Sequence, residues 1–140
     1  MLQSKKLVKI AAGLLLFHLL GHLIGHYTWK EDKGNLQKRE VIRQMTEPRF
    51  DFMGASRSMG EYYEGYSTLL SITFIVLAWV LWQTSGLLEE KHKAGKQLAL
   101  FIGIGLLLFS ITEFVYFFPF AAIISLLAGG FSLLALKTKV

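Results

Sequence analysis

The sequence predicts an all-α fold: an integral membrane four-helix bundle with a partly structured extracytoplasmic connector between helices 1 and 2. Three observations carry that reading. Four long apolar runs recur along 140 residues, each close to the roughly 20 residues that cross a hydrocarbon core. Charged residues collect between the runs and are nearly absent within them. A polar stretch dense in aromatic side chains separates the first run from the second. One membrane domain over residues 1–140 is expected, with spans at about 7–29, 60–84, 97–118 and 120–136 and a connector at 30–59.

The first span, LVKIAAGLLLFHLLGHLIGHYTW, carries no charged residue after Lys9. It is too long for a removable signal peptide and lacks a small-residue cleavage motif. Three of the four histidines fall inside it, at His18, His22 and His26. Residues four apart on a helix are rotated by only about 40°, so this ladder climbs one face over about 12 Å. Imidazoles gain nothing from lipid, so the face should look inward, towards other helices or a water-filled cavity. Gly21 and Gly25 would form a small-residue notch beside it.

The connector opens with Lys30, Glu31, Asp32 and Lys33. Asn35 suits the cap of a short helix with an apolar side at Val41, Ile42 and Met45, ending at Pro48. That helix would lie on the membrane surface or over the bundle mouth. Next comes RFDFMGASRSMGEYYEGY, with more rings than a purely solvating loop needs. Ser58 and Glu61 have capping-box spacing and should start the second span.

The second span has a continuous apolar core from Leu69 to Trp82, with Trp79 and Trp82 as anchors at its far end. Gly86 and the EEKHK segment make the following turn. The third span contains one acidic residue in its second half, Glu113, and Pro119 then forces a very tight turn. In the fourth span Ala121, Ser125 and Gly129 recur every four residues, a close-packing stripe. Gly103 and Gly105 are expected to serve helix packing.

Charge placement sets partners and orientation. The excess of 15 Lys and Arg over 10 Asp and Glu lies at span borders, the distribution of a multi-pass membrane protein, so the lipid bilayer is the expected partner and nucleic acid is not. Eight Lys and Arg flank the spans on the side of the N-terminus, the middle turn and the C-terminus. The connector carries seven, diluted over its length among acidic partners. That density puts both termini in the cytoplasm of a cell (inner) membrane. The absence of cysteine removes disulfide and thiol chemistry.

This topology brings His22 and His26, Glu61, Glu64, Tyr63 and Arg57, and Glu113 to the outer half of the bundle. Glu113 in apolar surroundings needs a partner or a proton. One reading is a pocket for a small hydrophobic or amphipathic ligand, with His22, His26 and Glu113 as its polar floor and Arg57, Glu61, Glu64 and Tyr63 at its mouth. A second is a divalent metal held by His22, His26 and Glu113 or Glu64, or a haem, in a membrane redox component. The i, i+4 pair in HLLGH lacks the glutamate of the zinc-protease motif. A haem clamped by histidines of two helices is not available within one chain, because His92 sits in the opposite turn. A third is an accessory subunit docking a membrane protein partner or a second copy. The plainest alternative is a hydrogen-bonded network with no chemistry, and no reaction is assigned.

The stretch FHLLGHLIGHYTW, followed by VIRQM, RFDFMGASRS and YYEGYS, resembles an uncharacterised family of small bacterial four-helix membrane proteins. The resemblance rests on His22, Gly25, Met53, Gly54, Arg57, Tyr63 and Gly65 and covers most of the chain. More distantly the layout is similar to the DoxX-like proteins, which would imply redox association at most, and to the four-helix sterol-isomerase superfamily. Neither resemblance has a residue-by-residue correspondence, so neither activity is carried over.

Overall fold

A computed structural model describes residues 2–137. Its elements in chain order are α1 (Leu2–Thr28), α2 (Leu36–Thr46), β1 (Arg49–Phe52), β2 (Ala55–Ser58), α3 (Met59–Glu89), α4 (Lys93–Tyr116) and α5 (Pro119–Lys137). Helices α1, α3, α4 and α5 are long and apolar enough to cross a membrane, which marks a multi-pass membrane protein. They begin or end a few residues from the expected span limits because helices continue into their polar caps. At 31 residues, α3 is about 46 Å long. That exceeds a hydrocarbon core of about 30 Å, so its polar first turns extend the span rather than belong to the loop before it.

The chain divides into two compact units, residues 1–20 with 73–140 and residues 21–72. Lys139, expected in the C-terminal basic cluster, lies outside the described residues.

In the first unit four helical segments share one core. Val8, Ala11 and Leu15 come from α1, Phe74 and Leu81 from α3, Ala99 and Leu106 from α4, and Ala122, Ile124 and Ala128 from α5. Outward faces stay apolar: Leu16, Ile75, Ile104, Ile111 and Leu126 are all more than a third exposed. Apolar residues on both sides of a helix are what hydrocarbon requires and what water would oppose. Helices α4 and α5 pack most intimately. A Cβ on Gly129 would sit 2.9 Å from the Gly103 carbonyl oxygen, and one on Gly103 would sit 2.8 Å from Leu133. The expected stripe of Ala121, Ser125 and Gly129 is buried along this seam. Gly105 faces open space and has no such role. Ser110 donates to the Ala122 carbonyl across the same pair at 2.8 Å. Pro119 opens α5 at its first position, where its missing N–H costs nothing. At the other end Lys9 lies 4.4 Å over the Trp82 ring, and Lys5 pairs with Glu89.

In the second unit the connector is more ordered than a loop. Asn35 caps α2, its side chain accepting from the Lys38 N–H at 3.0 Å. The Asp32 carboxyl lies below the usual carboxylate range, first through the Arg39 guanidinium, whose Nε donates to it at 2.6 Å, and next through the Gly34 N–H. Arg43, then Gln44, lower Glu40 to about 2. These pairs lie on the exposed side of α2.

After α2 comes an antiparallel hairpin, β1 paired with β2 in the register Arg49 with Ser58 through Phe52 with Ala55. The all-α expectation did not include it. Its two-residue turn is Met53-Gly54, with φ of 49° and 83°. Two successive positive φ values suit the right-handed twist of a hairpin. Glycine adopts the second freely, whereas Met53 takes on left-handed strain of about 1–2 kcal/mol. Four-residue strands are marginal alone, and α3 supports them. Phe50 stacks on Tyr62 with centroids 5.7 Å apart, and Arg49 pairs with Glu61 at 3.0 Å. The expected capping box forms: the Ser58 N–H donates to Glu61 Oε2 at 2.7 Å, and Glu61 N–H to Ser58 Oγ at 3.2 Å.

Candidate functional site

Each unit holds its own polar constellation. In the first, His18 of α1 and Glu113 of α4 meet inside the core. His18 Nε2 lies 3.2 Å from Glu113 Oε1, with side-chain exposures of 8% and 6%. The other ring nitrogen, Nδ1, is 3.3 Å from the Ser125 hydroxyl of α5. The Phe74 ring of α3 covers the imidazole at a centroid distance of 4.5 Å. Glu113 Oε2 is buried without a hydrogen-bond partner among the described residues. Four elements thus enclose an acid, a base and a hydroxyl.

The imidazole at Glu113 is that of His18, a residue outside the expected site. The sequence shows that three histidines share a stripe, but not which one lies at the depth of Glu113. The available signal was Ser125, one turn from Ala121 and Gly129 on the close-packed stripe of α5. A hydroxyl there needs a polar neighbour on a facing helix.

In the second unit His22 and His26 both address Ser67 of α3. His22 Nε2 lies 2.9 Å from the Ser67 carbonyl oxygen and 3.0 Å from its hydroxyl. A carbonyl only accepts, so His22 Nε2 carries the hydrogen, and the Ser67 hydroxyl can donate to His26 Nδ1 at 2.8 Å. Ser67 had not been singled out. Nothing comes within 4 Å of a Cβ at Gly21 or Gly25, so they form no packing notch. Among the described residues no three His, Asp or Glu side chains gather as a metal-ligand group.

The mouth residues separate by helix face. Glu64 is held by Lys30 at 2.6 Å, and Tyr63 packs on Trp29 with centroids 5.0 Å apart. Arg57 and Glu61 instead line a groove of about 370 Å³, together with Ala55, Tyr62, Gly65, Tyr66 and Leu69. The spacing explains the split: 61, 62, 65, 66 and 69 share one face of α3, and 63 and 64 turn away from it. Within the groove Glu61 is already engaged by Arg49 and the Ser58 N–H. Arg57 donates to the Ser56 carbonyl and has no carboxylate within ion-pair distance among the described residues. The groove therefore presents a cation with unused donors at one end and Tyr66 and Leu69 at the other. Gly65 keeps its floor open, since a Cβ there would meet nothing within 4 Å.

No family model, curated protein or solved structure matches this chain.

Proposed function

We propose that this chain is a small multi-pass membrane protein that binds an amphipathic ligand with an anionic head in the groove between the hairpin and α3. The observation carrying the proposal is the lining of that groove. Its volume of about 370 Å³ falls in the range of small-molecule sites. The Arg57 guanidinium offers a planar fork of donors suited to a phosphate or carboxylate. Tyr66 and Leu69, 69% and 61% exposed, offer an apolar wall to a chain. Both termini face the cytoplasm of a cell membrane in this reading, which puts the groove on the outer side. Support for that orientation comes from Lys5, Lys6 and Lys9, Lys91, Lys93 and Lys96, and Lys137, which cluster at one set of span ends.

The test uses full-length protein in nanodiscs of zwitterionic lipid. A single-chain alkyl phosphate should raise the unfolding midpoint, and an uncharged alkyl glycoside of equal chain length should raise it less. At a hundredfold excess over Kd the stabilisation is about 2.7 kcal/mol. Gly65→Leu, whose Cβ meets nothing within 4 Å and whose isobutyl group would occupy the groove, should abolish the effect, and Arg57→Gln should remove the preference for the phosphate. Equal stabilisation of the wild type and Gly65→Leu would exclude the groove as the site.

A further inference from the structure

We infer that His18 and Glu113 form one proton-binding site inside the first unit, with a single proton shared between His18 Nε2 and Glu113 Oε1.

The geometry defines which protons it holds. Nε2 and Oε1 are 3.2 Å apart, close enough for one hydrogen to bridge them but not for two. On the other side of the ring Nδ1 faces Ser125, a hydroxyl that is fully buried. With the hydrogen of Nδ1 directed to Ser125, Nε2 and Oε1 together carry one further proton. Placed on nitrogen it makes an imidazolium–carboxylate pair; placed on oxygen it makes a neutral imidazole and a carboxylic acid. The pair has zero net charge in both arrangements. Losing that proton leaves one negative charge, and gaining a second leaves one positive charge, each in a low-dielectric interior where an uncompensated charge is costly.

No other charged group is positioned to take over. On α5 no titratable residue precedes Lys137, and on the α3 segment of this unit none precedes Glu89, which Lys5 engages. On α1 the nearest titratable residue is His22, one turn along the helix and bonded to Ser67, and the nearest lysine is Lys9, more than two turns from His18 and seated over Trp82. On α4 the nearest is Tyr116, one turn from Glu113 and 77% exposed. Glu113 Oε2 has no donor to steady a second lone charge. Buried ionisable groups at membrane depth commonly serve proton relays, and this pair has the composition of one such station.

The experiment is nitrogen NMR on full-length, histidine-labelled protein in lipid bilayers, with His18 assigned by the signal lost in His18→Gln. The expected Nε2 shift lies between those of a bare and a fully protonated ring nitrogen and shows a deuterium isotope shift. In Glu113→Gln it should move to one of the two end values, while His22 and His26 stay unchanged and report that the fold persists. A wild-type Nε2 shift at either end value, or one identical in Glu113→Gln, would overturn the inference. If Glu113→Gln does not fold, the isotope shift in the wild type decides alone: present, it supports a shared proton; absent, it excludes one.

Discussion

His18 and Glu113 touch across 3.2 Å with both side chains more than nine-tenths buried, 95 positions apart in a chain with no other acidic residue in the last two helices. Their contact ties α1 to α4, and Ser125 adds α5 to the same point. Each of these groups is expensive to leave alone.

Removing both members should therefore cost less than the sum of removing each alone. His18→Leu or Glu113→Leu alone is expected to destabilise the protein by about 3–5 kcal/mol, the usual penalty for leaving a buried charge without its partner. The double variant should be less destabilised than the sum of the two, with a coupling energy of about 0.5–3 kcal/mol. Reversible unfolding in detergent measures this, and strict additivity would show that the pair is not coupled.

The α4–α5 seam separates glycines by what surrounds them. Gly129→Ala pushes a Cβ to 2.9 Å from the Gly103 carbonyl oxygen, and backbone cannot yield cheaply, so a loss of about 1–3 kcal/mol is expected. Gly105→Ala and Gly130→Ala meet nothing within 4 Å. They should be neutral or stabilising by up to about 1 kcal/mol through helix propensity. The same unfolding measurement ranks all three, and the reverse order would contradict the packing.

Ser58→Ala removes one half of the capping box at the start of α3. The expected cost is about 1 kcal/mol. Because Glu61 also holds Arg49 of the hairpin, the damage should spread into β1 and β2. Faster amide exchange over residues 49–58 with unchanged exchange in α5 would show it.

Acid should loosen the exposed ion pairs of α2 before it affects the apolar helices. The carboxyls of Asp32 and Glu40 lie below their ordinary values, Glu40 at about 2 against a reference of 4.5. A lowered carboxylate pKa contributes stability that is fully present above the unfolded-state value and is lost as pH falls through the folded one. The contribution of Glu40 should thus fade between about 4.5 and about 2. Both pairs are solvent-exposed, so the effect should be small and should shrink in high salt. Backbone NMR shifts of residues 36–46 against pH, at two salt concentrations, follow it.

Local chemistry made several features legible in advance. The apolar runs set four helices long enough to span a bilayer, because backbone polar groups in hydrocarbon must pair within their own segment. Asn35 and the Ser58–Glu61 pair mark helix starts because their side chains satisfy N–H groups only a few residues away. Ala121, Ser125 and Gly129 mark the tight face of α5 because four residues bring a helix back to nearly the same direction. The hairpin also had a local signal, Met53-Gly54 between two short strands, but the surrounding charge and rings obscured it.

By itself, then, the sequence determined that four helices are apolar enough for a membrane, roughly where each lies in the chain, and that one face of α1 carries three imidazoles. Only the tertiary structure decided that His18 meets Glu113, that His22 and His26 share Ser67, and that Arg57 rather than Glu64 opens onto a groove. The first group depends on neighbours within one or two helical turns. The second depends on the rotation and depth of one helix against another, set by side chains such as Phe74 and Ser125 that are remote in the chain and adjacent in space.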